Sequence, residues 1–415
     1  MSPTRRLSSL VLLFSLLTLA GGPTGRAAHA QQLHLQGLTV APAPEWTALF
    51  DRNSGWTGAD GIYSIPLSGV DAFGGFRTTG TLFIFGDTFI GEVSRNGSRE
   101  PGTKIVNNTV AALDLIPGSR LPDPDRDIRF WWSTDPATAN PAAAFVPTTP
   151  NADPDRDWYW VKDGFVDPSD GQTHLLAYRF RKDSTLPLGF ARAGVTLISL
   201  PANSRPPFDD QRQAETPFFI SKDQSGLPGD MVFGGGVLVN TIDAGSPDGM
   251  ADGFVYIYGT REDPLSKKLL AARVRPGAIE NFDAWRFWNG SRWVAGAVNA
   301  APIAGRVSNE LSVTPLADGR FVLIYQRDGV GRFIAGRAGA TPIGPFGTEQ
   351  ILYECPEVAR IPDVYVYNAK AHPHLSAPGE LIVSYNVNSS IGLGWNFDNA
   401  DIYRPRFIRI RPDGG

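Results

Sequence analysis

Apolar residues recur along this chain in short runs closed by glycine, proline, aspartate or asparagine, with no long stretch of helical spacing. Runs rich in β-branched and aromatic residues at 80–85, 109–115, 174–180, 194–200, 254–258, 269–274, 321–326, 333–336, 380–385 and 406–410 predict strands. Two of them sit in matching surroundings: Leu316-Ala-Asp-Gly-Arg-Phe-Val-Leu-Ile-Tyr325 and Leu375-Ser-Ala-Pro-Gly-Glu-Leu-Ile-Val-Ser-Tyr385 each read as strand, turn and strand. Each follows a polar run, Arg306 to Val313 in the first case and Tyr367 to His374 in the second.

A hairpin that recurs behind a polar entry predicts an all-β fold of repeated small sheets, a five-bladed β-propeller whose innermost strands begin at a central channel. Those strands are expected at 58–64, 158–166, 231–239, 308–313 and 368–375, with surface loops at 121–157 and 201–229. The alternative is a two-sheet sandwich, which does not explain the polar entries before similar hairpins.

The first residues belong to another class. Arg5 and Arg6 precede an apolar stretch from Leu7 to Ala20, and small residues follow at Ala28 and Ala30. This predicts a secretory signal, residues 1–30, cleaved after Ala30, because about 14 apolar residues fall short of the roughly 20 needed to span a bilayer. Residues 31–415 are then one propeller domain, secreted or periplasmic, with no membrane partner. Hydrophobic residues make up 42% and charged residues 19%, enough material for a core. The net charge of −4 offers no basic face to nucleic acid. With Cys355 as the single cysteine, no internal disulfide is possible, and it reads as buried structure.

Candidate chemistry gathers in a few segments. Gly55-Trp-Thr-Gly-Ala-Asp-Gly-Ile-Tyr-Ser64 places Asp60 between glycines ahead of an expected inner strand, and Leu82-Phe-Ile-Phe-Gly-Asp-Thr-Phe-Ile-Gly91 interrupts an apolar strand with Asp87. Either aspartate suits a catalytic carboxylate, or a turn organised through backbone amides. Glu310 heads an expected inner strand, where Leu311 and Val313 are expected to raise its pKa and suit it as a general acid; the alternative is a buried Glu paired with Arg306 or another cation. Asp163 and Lys162 follow Trp158 and Trp160, which reads as a sugar subsite or as a solvated turn beside packing aromatics. His372 and His374 stand two apart, on one face if the strand continues, which suits hydrogen bonding to a shared ligand, or structural packing, better than zinc. Asn368 and Lys370 are expected at the same mouth. The oxygen-rich loop from Asp243 to Asp252 is a candidate for structural calcium; no other cofactor is required.

The Trp-Thr-Gly-x-Asp-Gly-x-Tyr-Ser, Phe-Gly-Asp-Thr-Phe and Asn-Asn-Thr series over residues 55–110, with Asn309-Glu-Leu-Ser-Val313 and Ala371-His-Pro-His374, resembles a family of secreted bacterial propeller proteins without assigned function, some relatives of which are endo-D-arabinanases. The resemblance implies a five-bladed fold and cleavage of a furanosidic or related oligo- or polysaccharide by carboxylates from successive inner strands. Such hydrolysis needs one protonated and one ionised carboxyl group. On that basis Asp60 is expected as base or nucleophile and Glu310 as acid, with Asp163 or Asp87 tuning them. Trp56, Asn108, Trp160, Lys162, Asn309, Asn368 and His372 are expected to hold sugar. A non-catalytic glycan-binding propeller and a polysaccharide lyase using His372 with Lys370 are the alternatives.

Overall fold

The computed structural model describes residues 35, 37–115, 119 and 121–413; the expected signal and its cleavage point lie outside the described residues. The protein is all-β, 44% strand and 9% helix. Among the described residues no helix is long and apolar enough to cross a membrane.

Five innermost strands set the frame: β1 (Tyr63–Pro66), β2 (Asp157–Val166), β3 (Met231–Asn240), β4 (Leu311–Pro315) and β5 (Val364–Ala371). Each leads, in chain order, into an antiparallel sheet. From β1 the chain passes to Thr81–Phe85, Thr109–Leu113 and Ile128–Trp131; from β2 to Thr173–Lys182, Phe190–Leu200 and Arg212–Thr216. From β3 it passes to Phe254–Arg261, Lys268–Val274 and Arg286–Trp288, and from β4 to Phe321–Gln326, Phe333–Gly339 and Gln350–Glu354. The sheet of β5 continues through Leu381–Ser389 and Pro405–Pro412 and is completed by Leu38–Pro42 from the start of the described chain, Leu38 facing Pro412.

Second strands read as unbroken apolar runs because both of their faces are covered: every residue of Thr81–Phe85 and of Phe321–Gln326 is buried. Five apolar clusters lie between consecutive sheets. Ile65 and Ile84 meet Tyr159 and Ala177, Leu176 and Tyr178 meet Phe233 and Ile257, Tyr258 meets Leu311 and Leu323, and Ile324 meets Val366 and Val383. The fifth joins the last sheet to the first, with Ile382 and Phe407 against Phe83 and Phe85. Packing therefore closes on itself around a narrow cavity of about 50 Å³, to which all five inner strands contribute. β3 and β4 approach so closely that a Cβ on Gly236 would stand 2.6 Å from the Leu311 carbonyl oxygen.

Both repeated hairpins are present, as the first hairpins of the β4 and β5 sheets. Several boundaries differ from the sequence expectation. Residues 58–64 do not form one strand: Ser54–Ala59 pairs with Thr88–Glu92 in a separate small sheet, and β1 begins only at Tyr63. β4 starts at Leu311, leaving Glu310 in the entry turn, and β5 ends at Ala371 because Pro373 opens a 3-10 turn. The expected loops at 121–157 and 201–229 contain the outermost strands Ile128–Trp131 and Arg212–Thr216. Cys355 is buried, as expected of a lone cysteine with no partner to activate it.

Trp56 belongs to this frame. Its ring is 1% exposed and stacks on Phe130 at 4.6 Å, while its N–H donates to Thr109 Oγ1 at 3.2 Å. Trp56→Ala is expected to cost about 3–5 kcal/mol in chemical denaturation, the loss of a core side chain.

Candidate functional site

Two chain crossings place a pair of aspartates together. Asp60 lies where the chain leaves the small sheet for β1, and Asp87 where it returns from Thr81–Phe85 to Thr88–Glu92. The crossings are tied: Asp60 N–H donates to the Asp87 carbonyl at 3.3 Å, and Gly86 N–H donates to the Asp60 carbonyl at 2.9 Å. Gly86 leaves the room the first carboxyl needs, since a Cβ there would stand 2.4 Å from Asp60 Oδ1.

Glu310 enters from the turn before β4, where Ser308 Oγ donates to its carbonyl at 2.5 Å. A bulge in β2 between Val161 and Gly164 splits Lys162 from Asp163. Lys162 Nζ reaches Glu310 Oε1 at 2.5 Å; both side chains are almost wholly buried. Asn368, at φ +62°, completes the clamp: with its amide oriented to satisfy its neighbours, the nitrogen donates to Glu310 Oε2 at 2.6 Å and the oxygen accepts from Gly61 N–H at 3.1 Å.

Asp60, Asp87, Glu310, Lys162, Trp160, Asn309 and Asn368 line one cleft of about 590 Å³. Trp160 Nε1 donates to Asp87 Oδ1 at 2.9 Å and Asn107 Nδ2 to the same oxygen at 3.3 Å. Asn309 Oδ1 accepts from Lys267 Nζ at 2.8 Å. Tyr367, which donates to Asp60 Oδ2 at 2.8 Å, and Tyr403 join them without having been singled out in the sequence. Tyrosines in apolar surroundings read as core; only the polar run around Tyr367 marks it.

The other sequence candidates stand elsewhere. Asp163 faces the narrow axial cavity, where it accepts from Gly164 N–H at 2.9 Å and from Val237 N–H at 2.7 Å, joining β2 to β3. Burial raises it to about 7. Asn108 is fully buried and holds backbone of Phe145 and Tyr159, and Trp56 is core. His372 also lines the axial cavity, between Ser64 Oγ and Ser384 Oγ, both at 2.7 Å, while His374 meets Asp71 at 2.9 Å and Thr81 at 3.2 Å. The two imidazoles share no ligand site, because the strand has ended before them. In the 243–252 loop, Asp252 accepts from Asn240 Nδ2 at 3.0 Å and from Tyr256 Oη at 2.6 Å. Among the described residues the one three-ligand group close enough for an ion is Asp167, Asp170 and His174, where Asp167 already accepts from Ser169 and Gly277.

Charge divides the three cleft carboxyls. Burial raises Asp60, against hydrogen bonds from Tyr367 and Tyr403 and the charge of Lys162. Burial and then the neighbouring Asp60 push Asp87 up to about 7. Burial acts on Glu310 in the same sense, but Lys162 and Lys370 outweigh it and hold Glu310 below its ordinary value. Leu311 and Val313 therefore do not decide its charge. One cleft thus keeps a proton on the aspartate pair near neutral pH beside an ionised glutamate, the combination that acid-assisted bond cleavage requires.

A crystal structure of a Bacteroides ovatus protein, whose description proposes it as a hydrolase, superposes with a TM-score of 0.64 at 20% identity over 90% of each chain, a likeness of fold. The α-L-arabinofuranosidase of Podospora anserina in complex with cellotriose matches at 10% identity over 86% of this chain and 91% of its own, with a TM-score of 0.39. The exo-β-1,3-galactanase of Phanerochaete chrysosporium with galactose matches at 9% identity over 85% and 60%, with a TM-score of 0.41. No curated protein matches the sequence. Residues 44–412 match the model of the family described as a domain of unknown function, DUF5005, and the chain belongs to that family.

Proposed function

We propose that the protein is a secreted glycoside hydrolase, a five-bladed β-propeller of residues 31–415, acting on a furanosidic or related extracellular glycan of the arabinan type. The observation that carries this reading is the opposite charge preference of carboxyls lining one cleft: Asp60 and Asp87 raised, Glu310 lowered. In this reading the aspartate pair gives its proton to the glycosidic oxygen as the C–O bond breaks, and ionised Glu310 meets the positive charge developing at the anomeric carbon. Water then adds its hydroxyl to that carbon and returns a proton to the pair. These roles reverse the sequence-based assignment of Glu310 as acid and Asp60 as base. The five sheets, with cores that close from last to first, support the blade count. A lyase has less support, since His372 is buried outside the cleft.

The test is release of reducing ends from arabinan, arabinogalactan, fructan and xylan, by the wild type and Glu310→Gln. Turnover of one of them, lost at least a hundredfold in the variant with folding intact, is expected. Binding without turnover on every glycan would replace the hydrolase by a glycan-binding protein. The pH profile follows from the same groups. Activity needs the pair protonated, so it falls as pH rises through about 7; it needs Glu310 ionised, so it falls on the acid side only below that group's ordinary value of 4.5.

A further inference from the structure

The β2 sheet forms one wall of the cleft, and that wall is partly open to it. Trp158, Trp160, Phe180 and Phe190 make a continuous ring cluster, with Trp160 and Phe180 at 4.3 Å, Trp158 and Phe190 at 5.4 Å, and Phe180 and Phe190 edge-on at 5.5 Å. Trp158, Trp160 and Phe190 are only half-buried. The loop joining Thr173–Lys182 to Phe190–Leu200 sets Leu188 beside them, 76% exposed. Trp160, Phe180, Leu188 and Phe190 line the cleft that holds Asp87 and Glu310, and Trp160 is itself bonded to Asp87. Two cations beside the wall are engaged: Arg192 packs on the Tyr178 and Phe180 rings and pairs with Glu262 at 3.2 Å, and Lys162 pairs with Glu310.

Breaking one glycosidic bond does not require such a surface, and exposed apolar patches beside a polar cleft mark binding. We propose that this wall is the subsite for the sugar units beyond the bond that is cut. Their C–H faces stack on Trp160 and Phe190 and are flanked by Leu188, so the substrate class is a neutral oligo- or polysaccharide whose rings present an apolar face, rather than a disaccharide. The inference rests on the glycan-cleaving reading of the same cleft.

Phe190→Ala and Leu188→Asp test it; Trp160 is left intact because it holds Asp87, and Leu188 is exposed enough for its variant to fold. The measurement is the ratio of kcat/KM on the polysaccharide to kcat/KM on an aryl glycoside of the same sugar. A fall of about tenfold or more in that ratio for both variants is expected; an unchanged ratio overturns the subsite while leaving the hydrolase standing. Retardation in native gels containing arabinan, arabinogalactan, fructan or xylan separates the two ideas if the wild type shows no turnover. Retardation of the wild type that both variants lose supports the wall; equal retardation of all three, or none for the wild type in any gel, overturns it.

Discussion

Asp60→Asn and Asp87→Asn are each expected to lower turnover of the natural glycan by roughly 10²–10⁴-fold, the usual contribution of general acid catalysis. An amide fills the same space but carries no transferable proton. The loss should depend on the leaving group. An aryl glycoside that departs as a stabilised phenolate needs little protonation, so both variants should retain far more of the wild-type rate on it than on the polysaccharide. Glu310→Gln should lose both, because the positive charge at the anomeric carbon develops with either leaving group. Asp60→Asn also has a pH signature: Asp60 is one of the causes that raise Asp87, so removing its charge should move the alkaline limb below about 7. Equal losses on both substrates would remove the pair from the protonation step.

Lys162→Met is expected to destabilise the fold by about 3–5 kcal/mol, the range for removing one member of a buried ion pair. Lys162 and Glu310 are 9% and 8% exposed at their side chains, so the variant leaves Glu310 without its nearest counter-ion where water does not replace it. Denaturant midpoints across pH read this directly. Glu310 lies below its ordinary pKa in the native protein, so its pairing stabilises above about 4.5 and is lost as pH falls. The gap between wild type and Lys162→Met should accordingly narrow towards acid. Adding Glu310→Gln to Lys162→Met should recover much of the stability and none of the activity, which separates a charge left unpaired from a packing defect.

Much of this site is legible in the amino-acid sequence. Asp60, Asp87, Glu310, Lys162, Trp160, Asn309 and Asn368 stand out as polar or aromatic residues at strand entries and interruptions, and those entries meet at the cleft. Strand alternation fails where the backbone departs from it. The β2 bulge sends Lys162 to the cleft and Asp163 to the axial cavity although they are neighbours, and nothing in Trp-Val-Lys-Asp-Gly announces it. The His372 and His374 pairing assumes a strand that Pro373 has already ended. Trp56 and Asn108 sit in the same motif-rich segment as Asp60 and Asp87 but are buried as structure, a distinction that residue type alone does not carry. The charge of Glu310 depends on lysines 148 residues before it and 60 after it, Lys162 and Lys370. Local apolar neighbours point the wrong way.

The pairing of Leu38–Pro42 with Pro405–Pro412 has a mechanical meaning. Because Leu38 lies opposite Pro412, tension between the two ends loads one pair of residues at a time, and the ladder peels open like a zip instead of shearing all five pairs together. A fold with an apolar contact at every junction is thus opened by a pull at one seam. Whatever is anchored at one end and dragged from the other would loosen the last sheet first, the sheet whose inner strand supplies Tyr367 and Asn368 to the cleft.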